Sequence, residues 1–243
     1  MHDMLDDISA GNERSISRAI SIVLNEVDGF ETLLEQEPVV HTPVIGITGP
    51  PGAGKSTLTD KLIGELTRDG NRVAVLCIDP SSPFTKGAIL GDRIRMSEWY
   101  DNPLVFIRSL ATRGSLGGLP ANAANVIQLL KIAPFDFIII ETVGVGQNEI
   151  DISSVSDCTI VVLVPESGDD IQVMKAGLME IADIYVVNKC DRPGGDHLAN
   201  DIKAMLHAAP EVRNQRVVKT IANTRQGIGD LHNAIKEILD IDS

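Results

Sequence analysis

The spacing of apolar residues along the chain changes character at Val44. Before that point Ile16, Ala19, Ile20, Val23, Leu24 and Val27 recur every three to four residues, which predicts one helix with a single apolar face. Asp28 and Gly29 break the pattern, a second short helix is expected over Glu31–Gln36, and Pro38 and Pro43 bound an extended entry into the main domain. From Val44 onward, aliphatic runs of strand length occur at Val44–Thr48, Val73–Ile78, Phe137–Ile140, Thr159–Val164, Ile184–Val187 and Val217–Ile221. Helical patterns lie between or after them at Ser56–Asp69, Ala121–Lys131, Asp169–Met179, Asp196–Ala208 and Gly229–Leu239. Continuous rather than alternating apolar strands indicate burial on both faces. Strands alternating with helices predict an α/β fold: a mostly parallel sheet with helices on both faces, joined by right-handed crossovers. Residues 1–40 read as a helical extension and residues 41–243 as one main domain.

Composition narrows the picture in three ways. Aromatics are only 3% of the 243 residues, so the core rests on Val, Ile, Leu and Ala. The formal net charge is −13, and the first forty residues alone carry nine acids against two bases. Such a surface repels nucleic acid and anionic membrane, so neither is expected as a partner. Cys77, Cys158 and Cys190 are far apart with no CxxC pair, which predicts reduced thiols in a cytoplasmic protein rather than disulfides or a zinc site. No apolar stretch reaches the ~18 residues of a membrane helix.

The chemistry is concentrated after the first strand. Gly49-Pro50-Pro51-Gly52-Ala53-Gly54-Lys55-Ser56, followed by Thr57, is G-x-x-x-x-G-K-S placed between a strand and a helix. Glycines there let backbone N–H groups turn inward around phosphate oxygens, and the helix start adds its dipole. Lys55 neutralises the β and γ phosphates, and the Ser56 hydroxyl ligates magnesium. Asn188-Lys189-Cys190-Asp191 closes a later strand. A carboxylate at Asp191 accepts two hydrogen bonds from guanine and repels the bare N1 of adenine, so GTP is expected over ATP. Asn188 either bonds the base or braces the loop, and the Lys189 stem lies on the base plane.

Asp79 and Glu141 end two of the aliphatic runs, at the sheet edge that faces the nucleotide in this architecture. Both are candidates for magnesium, directly or through water. Two glycine-rich stretches, Thr85–Met96 and Arg108–Gly118, read as mobile loops. Asp92 in the first is a further metal or water ligand, and an arginine in either offsets transition-state charge.

Six segments occur in order: G-P-P-G-A-G-K-S-T, D-P-S-S-P-F-T, I-L-G-D-R-I-R-M, R-G-S-L-G-G, E-T-V-G-V-G-Q-N-E and N-K-C-D. Together they resemble the MeaB/ArgK family of GTPases, chaperones of adenosylcobalamin-dependent methylmalonyl-CoA mutase, over roughly Ala19–Leu239. The resemblance implies the GTPase core of the signal-recognition and metal-insertion class, binding GTP or GDP with magnesium. By matching motif it implies catalysis by Lys55, Asp92 and Glu141, and a metal site of Ser56, Asp79, Asp92 and Glu141. Asp191 would read guanine, with Ile221, Ala222 and Asn223 touching it through their backbone, and Gln147 would lie on a switch. Lys86 stands where relatives usually have Gly. The resemblance also implies a homodimer, made in relatives by a helical arm beyond the last core helix, whereas this sequence ends at Ser243. Two alternatives carry other signatures, a nickel metallochaperone with a metal motif and a small-molecule or protein kinase with an arginine-rich lid; a transport-associated kinase or non-catalytic scaffold is favoured only by older naming in the family.

Overall fold

The computed structural model describes residues 2–36, 38, 40–79, 96–111, 119, 122–142, 151–166, 181–208 and 215–241. Among them seven strands form one sheet: β1 (Val44–Thr48), β2 (Val73–Asp79), β3 (Val105–Ala111), β4 (Phe137–Glu141), β5 (Cys158–Leu163), β6 (Ile184–Val187) and β7 (Arg216–Lys219). Their order is β3-β2-β4-β1-β5-β6-β7, and every adjacent pair is parallel. Six α-helices of the described residues accompany them: α1 (His2–Ser9), α2 (Glu13–Leu24), α3 (Lys55–Arg68), α4 (Ala123–Ile132), α5 (Gly195–Ala208) and α6 (Ile228–Ile238).

The aliphatic runs become strands because both faces are covered. Alternate residues of β1, β2, β4, β5 and β6 pack under α3 and α6, with Ile45, Ile47, Val75, Ile139 and Ile160 fully buried. The opposite face splits in two. Ala74, Leu76, Ile138 and Ile140 lie under α1, α2 and α4. Val161, Leu163, Tyr185 and Val187 lie under α5. Each fully buried Ile or Leu contributes about 1.5–3 kcal/mol, so these layers hold the strand ends in place for chemistry.

The N-terminal helices share this core. Asn12 caps α2, accepting from the N–H groups of Arg14 and Ser15 at 3.1 Å each. Ile8, Ile16, Ala19, Ile20 and Val23 are all fully buried. Two features depart from the sequence pattern. The residues expected as a second helix at Glu31–Gln36 form a single 3-10 turn at Phe30–Leu33. β3 has no counterpart among the aliphatic runs: Arg108 and Ser109 interrupt its apolar residues, and it is an edge strand whose middle is only half buried. Arg108, expected on a mobile loop, is therefore a strand residue, and its Nη2 donates to Ser21 Oγ of α2 at 3.1 Å. The expected helix at Asp169–Met179 lies outside the described residues.

At the amino edge of the sheet a repeated device sets register. Asp136, Asp157 and Asp183 each precede a strand, and each bonds one residue of the neighbouring strand's start twice. Their N–H groups donate to the carbonyls of Arg72, Val44 and Thr159 at 2.8, 2.8 and 2.9 Å. Their carboxylates accept from the N–H of those same residues at 2.7, 2.8 and 2.8 Å.

Candidate functional site

The carboxyl ends of β1, β2 and β4 and the start of α3 bring the first group of expected residues together. Gly49 has φ +137°, and a Cβ there would lie 2.1 Å from the Val162 carbonyl of β5. No side chain fits, so the loop leaves β1 along a path open only to glycine. Gly54 has φ +91°, and a Cβ there would meet Asn188 Nδ2 at 2.4 Å. The loop then enters α3 at Lys55. The Lys55 ammonium is buried and donates to the carbonyls of Gly49 and Pro50 at 2.8 and 3.1 Å. Its charge is thus held inside the curve of the loop.

Ser56 Oγ donates to Glu141 Oε1 at 2.5 Å. Glu141 is at the end of β4 and Asp79 at the end of β2, both almost fully buried. Cys77 and Glu141 are register partners on adjacent strands, so Asp79 projects from the same face two residues further on. The buried carboxylates of Glu141, bonded to the Ser56 hydroxyl, and of Asp79 on the same sheet face supply hard oxygen donors, whose like charges favour a divalent cation. The residues present fit magnesium on that chemistry. Beneath them Thr142 Oγ1 donates to Thr48 Oγ1 at 2.9 Å, and the Thr142 N–H donates to the Ile47 carbonyl at 3.0 Å, tying β4's exit to β1's.

The second group of expected residues draws on three distant segments. Asn188 is buried, and its side chain bonds within the protein. Its Nδ2 donates to the Ala53 carbonyl of the phosphate loop at 2.9 Å. Its Oδ1 accepts from Thr220 Oγ1 at 3.0 Å and from the Ala222 N–H at 3.1 Å. Of the two roles left open for Asn188, these bonds show the bracing contacts. Lys189 is left-handed, with φ +57°, and its Nζ donates to the Gly52 carbonyl at 2.6 Å, so its stem spans to the phosphate loop. Asp191 is exposed. Ile221 is half buried, Ala222 buried and Asn223 exposed, in the 3-10 turn region after β7. The Cys190 thiol, behind the loop, donates to the Val187 carbonyl at 3.1 Å; burial is the main cause that raises its pKa.

Sequence reading missed two groups. Thr220, which opens the segment that ends at Asn223 but carries no role of its own in the sequence, holds Asn188. Asp60, one turn along α3 from Ser56, accepts from the Trp99 indole at 2.8 Å and pairs with Lys61 at 2.6 Å. Glu98 also shares a hydrogen bond with Asp60, and that bond, ahead of Asp60's charge and burial, raises the Glu98 carboxyl above its usual range. This cluster fixes the chain at Ser97–Trp99 to the helix that carries Lys55 and Ser56. Asp92, Lys86, Gln147 and the arginines Arg93, Arg95 and Arg113 lie outside the described residues.

Residues 17–242 match the family model described as methylmalonyl Co-A mutase-associated GTPase MeaB. A Pyrococcus horikoshii protein named as a GTPase, PH0274, is 44% identical over 97% of this chain and 76% of its own length. The Escherichia coli GTPase ArgK is 39% identical over 80% of this chain and 61% of its own. Among solved structures, one titled LAO/AO transport system kinase superposes with a TM-score of 0.76 at 26% identity, covering 99% of this chain and 75% of that one.

Proposed function

The chain belongs to the MeaB family of P-loop GTPases, and from that premise we propose that it is a magnesium-dependent switch serving an adenosylcobalamin-dependent acyl-CoA mutase. The observation that carries the GTPase half is the contact of Ser56 with Glu141, directly beyond a glycine-shaped loop that holds the Lys55 ammonium. The family match over residues 17–242 supports the client.

In this reading the N–H groups of residues 49–56 and the start of α3 bind the triphosphate. Lys55 leaves its loop carbonyls for the β and γ phosphates and stabilises charge that grows as the terminal bond breaks. Ser56, Asp79 and Glu141, with Asp92, would hold a magnesium ion, which would supply neutralisation of phosphate charge. Asp191 accepts from guanine, the Lys189 stem lies along the base, and Ile221, Ala222 and Asn223 border it. Asn188 keeps these two halves at a fixed separation. We place the protein in the cytoplasm, with no role for nucleic acid or membrane. Among the described residues no helix is long and apolar enough to cross a bilayer. A homodimer is part of the same reading.

Two experiments test it. Calorimetric titration with GTP and ATP in magnesium should show strong preference for GTP; equal affinities would refute guanine recognition. Mixing the protein with an adenosylcobalamin-dependent methylmalonyl-CoA mutase should give co-elution and faster GTP turnover. If neither occurs with the nucleotide-loaded protein, the client assignment fails while the GTPase stands.

A further inference from the structure

The exits of β1 and β4 are joined on both faces of the sheet. Ile47 and Glu141 are register partners, and on the face under α3 Ser56 Oγ bonds Glu141 Oε1 at 2.5 Å. Side chains alternate along a strand, so the next residues, Thr48 and Thr142, turn to the opposite face. There their hydroxyls meet. Thr142 Oγ1 donates to Thr48 Oγ1 at 2.9 Å, and both residues are buried. The Ile47 carbonyl lies 3.5 Å from the same hydroxyl and accepts the Thr142 N–H at 3.0 Å. Thr142 thus makes the last rung between the strands with its backbone and adds a side-chain clasp one residue further along β1.

Val44–Ile47 and Phe137–Ile140 are aliphatic, aromatic or glycine throughout, so hydroxyls at the next exit positions are a departure. An apolar pair would fill the same space by packing, which has no direction. A hydroxyl pair fixes separation and angle. Its position gives that precision a use. Thr48 is the last side chain before Gly49, whose φ of +137° and approach to the Val162 carbonyl leave the loop one path. Thr142 directly follows Glu141. The clasp therefore sets the start of the phosphate loop against the backbone that carries the Glu141 carboxylate. The Ser56–Glu141 bond is less suited to that task, because both of its groups are proposed magnesium contacts and must readjust whenever the ion arrives or leaves. The hydroxyl pair lies on the other face and takes no part in that exchange.

We propose that Thr142 is a positioning residue: its hydroxyl, clasped to Thr48, keeps Glu141 where magnesium binding at the phosphate loop requires it. This rests on the reading that Ser56 and Glu141 hold magnesium. Thr142 acts through the β4 backbone, as outer partners of metal ligands do.

The test measures dissociation constants of a fluorescent, non-hydrolysable GTP analogue in EDTA and in magnesium, together with GTP turnover. The ratio of the two constants is the gain that magnesium gives to nucleotide binding. Thr142→Val keeps the β-branched shape and removes the hydroxyl. Thr48→Val breaks the same bond from its other end, and Thr142→Ser keeps the hydroxyl. We expect each valine variant to bind the analogue in EDTA as wild type does and to cut the magnesium-dependent gain about fivefold. The magnesium concentration for half-maximal turnover should rise by a similar factor, and Thr142→Ser should restore both. A wild-type gain in either valine variant, an equal loss of affinity in EDTA, or a serine variant as poor as the valine one overturns the proposal. Should one valine variant fold badly, the other decides by the same readings. If Glu141→Gln loses the gain while the valine variants keep it, only the role of Thr142 falls. If Glu141→Gln keeps the full gain, the magnesium reading falls and takes this role with it.

Discussion

The phosphate end of the site is a single contiguous loop, closed on itself by Lys55 and shaped by glycines that admit no Cβ. The proposed base end is assembled from residues far apart in sequence and held by one buried amide. Asn188 reaches Ala53 across 135 positions, and Thr220 and Ala222 across 32 and 34. The first end owes its geometry to local backbone conformation. The second owes it to the sheet, which must set β1, β5, β6 and β7 side by side before Asn188 has anything to bond. A local motif can therefore fail without harming the fold, whereas the brace serves both.

Four substitutions sharpen or break that contrast. Lys55→Ala should confine its damage to the phosphate end, with hydrolysis reduced at least about a hundredfold and the melting temperature nearly unchanged. A single-turnover rate within about tenfold of wild type would mean that the loop's chemistry does not depend on this ammonium. Asn188→Ala should harm both ends together. It strands three buried partners at about 1 kcal/mol each, lowering Tm by roughly 6–12 °C and weakening GTP. A variant with lost selectivity and a wild-type Tm would contradict the bracing role. Asp191→Asn should touch the base end alone. We expect GTP affinity to drop roughly ten- to hundredfold, with xanthosine triphosphate gained and Tm unchanged, as read by calorimetry and thermal melts.

The smallest effect lies outside both ends. His232 of α6 is nearly buried against α3, 3.8 Å from Asp69. Burial, the main cause, lowers its pKa; Asp69 pulls the other way. The unfolded chain then takes up a proton more readily than the folded one as pH drops below about 6.5. Stability is thus present above that value and lost as pH falls through it. His232→Gln should flatten the fall in Tm between neutral and mildly acid pH while GTP hydrolysis is unchanged.

How much is legible in the sequence follows the same division. The strands under α3 and α6, and the phosphate loop, stand out because each is a contiguous pattern with its own period or punctuation. Asp79 and Glu141 stand out as acids closing aliphatic runs. β3 does not, because an edge strand needs cover on only part of its length and so tolerates Arg108 and Ser109. The role of Asn188 stays open in the sequence because its partners are defined by strand order, which no local window contains. Trp99 bonding Asp60 is invisible there for the same reason.

The three aspartates at the opposite edge bear on how this architecture could be re-engineered. Each one singles out its neighbour by a paired bond, so strand order is written where no chemistry occurs. Among the described residues no aspartate at the other edge makes such a pair. Single substitutions among the residues that close β1, β2 and β4 at the other edge should therefore alter chemistry while the strands beneath keep their alignment.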